Sequence, residues 1–216
     1  MANNLRIDYL PRHKKYKVVQ HDNMYHFNTD TVLLGNFIKI NKGDKVLDVG
    51  TNNGVLLVYI YLKGGNPTGL EINKEAITVA KETLKINKIT ASLICDSFVN
   101  YKAKEKYDVI ISNPPYFTST DIKEKNDNQN ISLARHEDDL NLSSLISGIK
   151  RNLKEDGRAM IVYRYDKKEL LEKEIKENGF FINRRKIVSN IKKRITILIE
   201  FSNNKTRIIN TYKKIR

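Results

Sequence analysis

Between Asp44 and Phe201 the apolar positions fall into short runs that alternate between two periods. KVLDV (45–49), PTGLEI (67–72), ASLIC (91–95), YDVIIS (107–112) and RAMIVY (158–163) are brief and largely apolar, as strands covered on both faces are. The intervening stretches repeat at helical spacing. GVLLVYIYL (54–62) is apolar on most sides, Lys74 to Asn87 carries Ala76, Ile77, Ala80 and Leu84, and Leu142 to Leu153 carries Leu145, Ile146 and Ile149. Lys167 to Asn178 is a further helix, closed by Gly179. FFINRRKIVS (180–189) and RITILIEF (194–201) follow each other directly and predict an antiparallel pair. The alternation predicts an α/β fold with a mostly parallel, seven-stranded sheet covered by helices on both faces. That domain spans 41–203, with an N-terminal segment (1–40) before it and a basic tail (204–216) after it. The polar stretch 117–139 is too long for an ordinary loop and is expected to be either a functional lid or disordered.

Composition narrows the setting. The longest apolar run, Val55 to Leu62, is far short of the ~20 residues that cross a membrane, and no charged-then-apolar leader opens the chain. A single cysteine, Cys95, excludes an internal disulfide and a multi-cysteine metal site. A cytoplasmic protein with no membrane and no metal is expected. Cys95, Tyr59 and Tyr61 are expected in the core, and His26 as a packed histidine. The net charge of +14 favours a polyanionic partner. Its clustering says more than its size: basic groups gather at Arg12 to Lys17, at Arg184-Arg185-Lys186, at Lys192-Lys193-Arg194 and along the tail.

Three successive strands finish in a carboxylate: Asp48, Glu71 and Asp96. The first runs into LDVGTNNGVLL, where Gly50 permits a tight turn and Gly54 opens a helix whose N-terminal amides attract negative groups. Glu71 is offset from this turn as a carboxylate accepting from both ribose hydroxyls would be. Asp96 is placed to meet an adenine edge. A dinucleotide and an S-adenosyl compound satisfy these three equally.

The fourth strand separates them, because it runs into Asn113-Pro114-Pro115-Tyr116. An exocyclic adenine amine is a poor nucleophile, since its lone pair is delocalised into the ring. Two acceptors set against its two N–H bonds favour a pyramidal nitrogen. The Asn113 side-chain oxygen supplies one and the Pro114 carbonyl the other, while successive prolines stiffen the loop. Tyr116 offers a ring face to a base drawn from its stack.

Asn113-Pro114-Pro115-Tyr116-Phe117, with HFNTDTVLLGNF (26–37) before it and ARHE (134–137) after it, resembles the bacterial tRNA adenine-N6 methyltransferases. These enzymes modify the adenine next to the valine anticodon. The likeness runs from about Asp8 to about Phe201. It implies a Rossmann-like class I methyltransferase fold, S-adenosylmethionine as cofactor and the anticodon region of tRNA as partner. A monomer is expected, though not from the resemblance. The likeness also implies roles. Asn28, Thr29 and Asp30 lie near the methionine end of the cofactor, with Asp48, Gly50, Thr51, Asn52 and Gly54 beneath it. Glu71 and Ile72 meet the ribose, and Asp96, Ser97 or Phe98 the adenine. Asn113, Pro114, Pro115 and Tyr116 are catalytic. Tyr116, Phe117, Arg135 and His136 border the substrate. Apart from the resemblance, the charge of Lys192, Lys193 and Arg194 is expected to position phosphates without reading sequence. In one departure, Asn52 stands where that family commonly has glycine; asparagine tolerates positive φ best among the other residues. The glutamine-N5 methyltransferases of peptide release factors share NPPY, but the segment before the first sheet strand leaves little room for their helical domain. DNA adenine methylation is a third option, for which nothing resembling a separate base-reading domain is seen, and a non-catalytic RNA-binding module is a fourth.

Overall fold

Every strand expected between Lys45 and Ser202 forms. The computed structural model describes residues 5–114, 140–191 and 193–215. A hairpin of β1 (Leu5–Tyr9) and β2 (Lys17–His21) comes first, followed by helix α1 (Thr29–Phe37). Then β3 (Lys45–Val49), α2 (Val55–Leu62), β4 (Asn66–Glu71), α3 (Lys74–Ile86), β5 (Ser92–Cys95) and β6 (Tyr107–Ser112) alternate. After the loop come α4 (Leu142–Asn152), β7 (Leu153–Arg164), α5 (Lys168–Glu177), β8 (Phe181–Ser189), β9 (Arg194–Ser202) and β10 (Ile209–Lys214).

The main sheet runs β10-β8-β9-β7-β6-β3-β4-β5, and only β9 opposes the others. Alternate residues of each strand serve opposite faces. Val46, Val109, Ile111, Met160 and Val162 pack towards α1, α2 and α3, while Leu47, Ile110, Ile161 and Ile199 pack towards α4 and α5. Helix α2 is buried all round from Val55 to Ile60, which its unbroken apolar sequence requires. Strand order reverses between β3 and β6, so a crevice opens where their carboxyl ends diverge.

The sheet has eight strands, one more than the apolar pattern predicts. The expected basic tail folds back as β10 and pairs in parallel with β8, from Ile209 opposite Arg184 to Lys214 opposite Ser189. Its sequence, INTYKK, lacks an apolar face; pairing satisfies the exposed edge of β8. The N-terminal segment is likewise structured. The β2 amides of Val19 and Lys17 donate to Thr83 Oγ1 (3.0 Å) and Asn87 Oδ1 (2.9 Å) on and just beyond α3. Three minor expectations fail. Cys95 is exposed, Tyr61 is 44% exposed, and His26 lies on the surface beside Arg6 and the His21 carbonyl. Tyr61 leaves the core because it is the position on α2 that turns from both the sheet and α1. Among the described residues no helix is long and apolar enough to cross a membrane, and no group of three His, Cys, Asp or Glu side chains could hold a metal.

Tyr59 is buried against Gly35 of α1, where an added Cβ would lie 2.4 Å from the ring. Gly35→Ala is therefore expected to lower the unfolding free energy by about 1–3 kcal/mol in urea titration. An unchanged midpoint would show that α1 can move away freely.

Candidate active site

Pairing of Val49 with Ser112 makes Gly50 and Asn113 leave the sheet side by side. The Ser112 hydroxyl donates to the Val49 carbonyl at 3.0 Å and fixes that register at full burial. The glycine-rich turn and the asparagine–proline loop are thus joined at their roots.

The turn is built on left-handed backbone. Gly50, Asn52 and Gly54 have φ of +73°, +47° and +76°. Asn52 does take the conformation that its glycine counterpart would, and its Nδ2 donates to the Tyr25 carbonyl at 2.8 Å. A Cβ on Gly50 would meet nothing within 4 Å, so the backbone there is open to close approach. A Cβ on Gly54 would press on Ala80 of α3 at 3.2 Å. Beneath the turn, Gly69 of β4 makes room for Thr51, whose Cγ2 would be 2.8 Å from a Cβ there.

The three strand-end carboxylates differ in state. Asp48 is fully buried; its Oδ2 accepts from Thr51 Oγ1 at 2.7 Å, and its Oδ1 has no hydrogen-bond partner among the described residues. Burial, with a smaller push from Glu71, raises its pKa to about 7 against the bond from Thr51. Glu71 is half-buried and pre-aligned, because each oxygen accepts one backbone amide, Asn52 N and Asn73 N, both at 3.0 Å. A carboxylate oxygen has a second lone pair, so both remain able to accept a hydroxyl. Asp96 is held beside Glu71 by its own amide (3.1 Å to the Glu71 carbonyl), and its Oδ1 accepts from Ser97 N at 2.7 Å. Ile72 follows Glu71, and its carbonyl lies 3.7 Å from the Cys95 thiol.

Phe98 is the most buried of the residues expected on the adenine side. Its ring is buried and packs against Gly148 of α4, so it is core and offers no face to a ligand.

Helix α1 closes the other side. Asn28 is its N-cap: Oδ1 accepts from Asp30 N (3.0 Å) and Thr31 N (3.1 Å), so this side chain is used in starting the helix. Thr29 is exposed, and Asp30 Oδ1 accepts from Thr196 Oγ1 of β9 at 2.9 Å. Thr31 is the residue that sequence reading missed. Its buried hydroxyl lies 3.0 Å from Asn113 Nδ2 and 3.3 Å from Asn28 Oδ1. It accepts from the first and donates to the second. Asn-x-x-Thr as a helix-capping pair was the available signal. The consequence is directional: with Nδ2 committed to Thr31, the other pole of the Asn113 amide is a carbonyl acceptor.

Among the remaining expected residues, Pro114 is buried after Asn113. Pro115, Tyr116, Phe117, Arg135, His136 and Lys192, with the expected lid, lie outside the described residues. Lys193 is in the turn between β8 and β9, its amide bonded to Asn190 Oδ1 at 2.9 Å. Arg194 does not stand free; it donates to the Tyr165 hydroxyl at 2.6 Å and lies over that ring.

A glycine turn, a strand-end carboxylate poised for two hydroxyls and an oriented amide meet at one switch point. The methyltransferase small domain family matches residues 15–188. The chain belongs to that family. It is 29% identical to the tRNA1(Val) (adenine(37)-N6)-methyltransferase of Flavobacteriaceae bacterium (strain 3519-10), with 90% of this chain and 84% of that protein covered. Against the protein of the same name from Aliivibrio fischeri (strain ATCC 700601 / ES114), identity is 31%, covering 81% of this chain and 76% of the relative. Two solved structures share the fold. The ribosomal protein L11 methylase of Lactobacillus delbrueckii subsp. bulgaricus superposes with a TM-score of 0.64 at 21% identity, over 86% of this chain and 84% of the other. The Pyrococcus abyssi tRNA (uracil-54, C5)-methyltransferase in complex with S-adenosyl-L-homocysteine gives 0.64 at 16% identity, over 93% and 45%. For this methyltransferase the fold is thereby the Rossmann-like class I arrangement.

Asp48 keeps its proton to about pH 7 when folded, whereas its ordinary value is 3.8. Between those values the folded state binds the extra proton, so this group makes stability fall as pH rises from about 4 to 7 and then level off. Urea unfolding at pH 5 and pH 8 is expected to show a larger loss for the unmodified protein than for Asp48→Asn. Equal losses would mean that Asp48 is ionised throughout.

Proposed function

We propose that this methyltransferase places a methyl group on the exocyclic N6 of an adenine in tRNA, at the position beside the valine anticodon that its relatives' name specifies. The cofactor is S-adenosylmethionine. The observation that carries this reading is the orientation of Asn113 by Thr31 at the end of β6, next to the glycine turn. An amide so held offers an acceptor, not a base, and a planar amine needs an acceptor.

The residues present fit the cofactor. The open backbone over Gly50, the buried Asp48 Oδ1 with no partner among the described residues, and the two receptive oxygens of Glu71 suit a ligand with a cationic end and a ribose. When bound, S-adenosylmethionine supplies an electrophilic methyl on a sulfonium. Asp48 and the turn 50–54 bind the amino-acid end, Glu71 with Ile72 the ribose, and Asp96 with Ser97 the adenine. Asn113 Oδ1 accepts one N–H of the substrate amine, and the Pro114 carbonyl accepts the other. Holding both bonds exposes the nitrogen lone pair and stabilises the positive charge that grows on nitrogen during transfer. No base acts before attack; the extra proton on the methylated nitrogen is lost to solvent after transfer. Pro115 stiffens the loop, and Tyr116 stacks on the extruded base. Thr31 is a positioning residue, acting through Asn113. The protein is read as a cytoplasmic monomer.

Incubating undermodified tRNA with methyl-labelled cofactor and digesting it to nucleosides tests the reading; label in N6-methyladenosine is expected. Label in another nucleoside, or none, contradicts it. Asn113→Ala is expected to reduce turnover by on the order of 100- to 1,000-fold while cofactor affinity stays close to that of the unmodified protein. Thr31→Val is expected to cost about 10-fold in kcat, with Thr31→Ser restoring most of it. Equal rates in Thr31→Val and Thr31→Ser would remove the hydroxyl from the account.

A further inference from the structure

Beyond the active site, the outer strands carry a feature that methyl transfer does not use. Val188 of β8 packs with the α1 layer and Ile187 with the opposite one, so Arg184 and Lys186 share the α1 face. In register with them on β10 stand Ile209, Thr211 and Lys213. Helix α1 packs over β7 and β9. A cavity of about 420 Å³ opens beside its C-terminal end, lined by Phe37, Lys39, Arg184, Lys186, Thr211 and Lys213.

The charges in this cavity are unequal in kind. Arg184 is neutralised by Glu200 (2.9 and 2.6 Å to Oε2), donates to the Phe37 carbonyl at 2.8 Å and stacks on the Phe37 ring at 3.7 Å. It is a fixed wall. Lys39, Lys186 and Lys213 have no carboxylate within ion-pairing distance among the described residues. Partial burial and the nearby Lys213, Arg184 and Arg12 hold the Lys186 ammonium below its ordinary pKa. Lys63 is lowered likewise, by burial and Arg184. Lysines on an exposed edge strand deter edge pairing, which accounts for Lys213 and Lys214 on β10. It does not account for Lys186, which is half-buried on an inner strand. Cations gathered without partners repel one another, and a bound anion relieves that repulsion.

From Lys186 the strand reaches Ser189 in roughly 10 Å, at 3.3 Å per residue. There the turn to Arg194 begins, at the same sheet edge as Asn113. A polyanion seated in the cavity could therefore extend directly to the catalytic edge.

We propose that this cavity is a docking site for the phosphodiester backbone of the RNA substrate, with Lys39, Lys186 and Lys213 contacting phosphates outside the active site. The inference rests on the tRNA reading above. These contacts fix position and carry no base information.

The test is the triple substitution Lys39→Gln, Lys186→Gln, Lys213→Gln, with Lys186→Arg as the charge-preserving control and cofactor titration as the check of folding. Binding of a tRNA transcript is measured from 50 to 200 mM monovalent salt. The plot of log affinity against log salt is expected to flatten by about 2–3 in the triple variant, since each phosphate contact contributes roughly 0.7–0.9. KM for RNA rises in parallel, and Lys186→Arg keeps the original slope. An unchanged slope and KM, while the unmodified protein labels tRNA, overturns the docking site and leaves the tRNA reading intact. Unmodified protein that neither binds nor labels tRNA overturns both. Inorganic phosphate or polyglutamate bound by the unmodified protein and lost in the variant, with RNA binding unaltered, would reassign the cavity to a small anion or an acidic peptide and overturn the proposal.

Discussion

The hydrogen bond from Asn113 Nδ2 to Thr31 Oγ1 is the interaction on which the site depends. A primary amide has a donor pole and an acceptor pole of similar shape, and only its surroundings decide which is presented. Here the decision is made by a helix that also caps itself with Asn28 and is tied to β9 through Asp30 and Thr196. Rotating the amide would draw the Thr31 proton away from Asn28 Oδ1 and set donor against donor on the substrate amine. A carboxylate in that position would have no need of Thr31, and a histidine would bring a base that the reaction does not require.

The sheet supplies the second constraint. Val49 and Ser112 are paired neighbours at the reversal of strand order, so cofactor-binding turn and reacting loop cannot drift apart without breaking the register of two buried strands. Glu71 and Asp96 continue the same edge outward on β4 and just beyond β5, and the backbone bond from Asp96 to Glu71 keeps them together. Four strands and one helix therefore place the five candidate side chains Thr31, Asp48, Glu71, Asp96 and Asn113, and none depends on a long flexible reach. The high pKa of Asp48 fits this arrangement: an anion buried with one oxygen unpartnered is costly until a cation faces it.

The central part of this plan is legible in the sequence because its signals are physical requirements. A glycine turn or a single strand-end carboxylate has many uses alone; continuous apolar strands with three such carboxylates in register after that turn have few. What escapes notice lacks such a signature. Strand β10 is polar on both faces and exists because β8 offers an unpaired edge. The β1–β2 hairpin attaches through Thr83 and Asn87, ordinary polar residues of a helix surface and its end. Thr31 reads as one more helix position until the fold brings it to Asn113, 82 residues away. Phe98 is a different case: its place after Asp96 is legible, but that its ring fills the space left by Gly148 in α4 is not.

The most direct measurement is the structure of the protein with S-adenosylhomocysteine and adenosine bound together. Adenine N6 can only donate, so the account predicts it within about 3.2 Å of Asn113 Oδ1, with Nδ2 still bonded to Thr31. An adenosine whose amine faces away from Asn113, or an Asn113 released from Thr31, would contradict it.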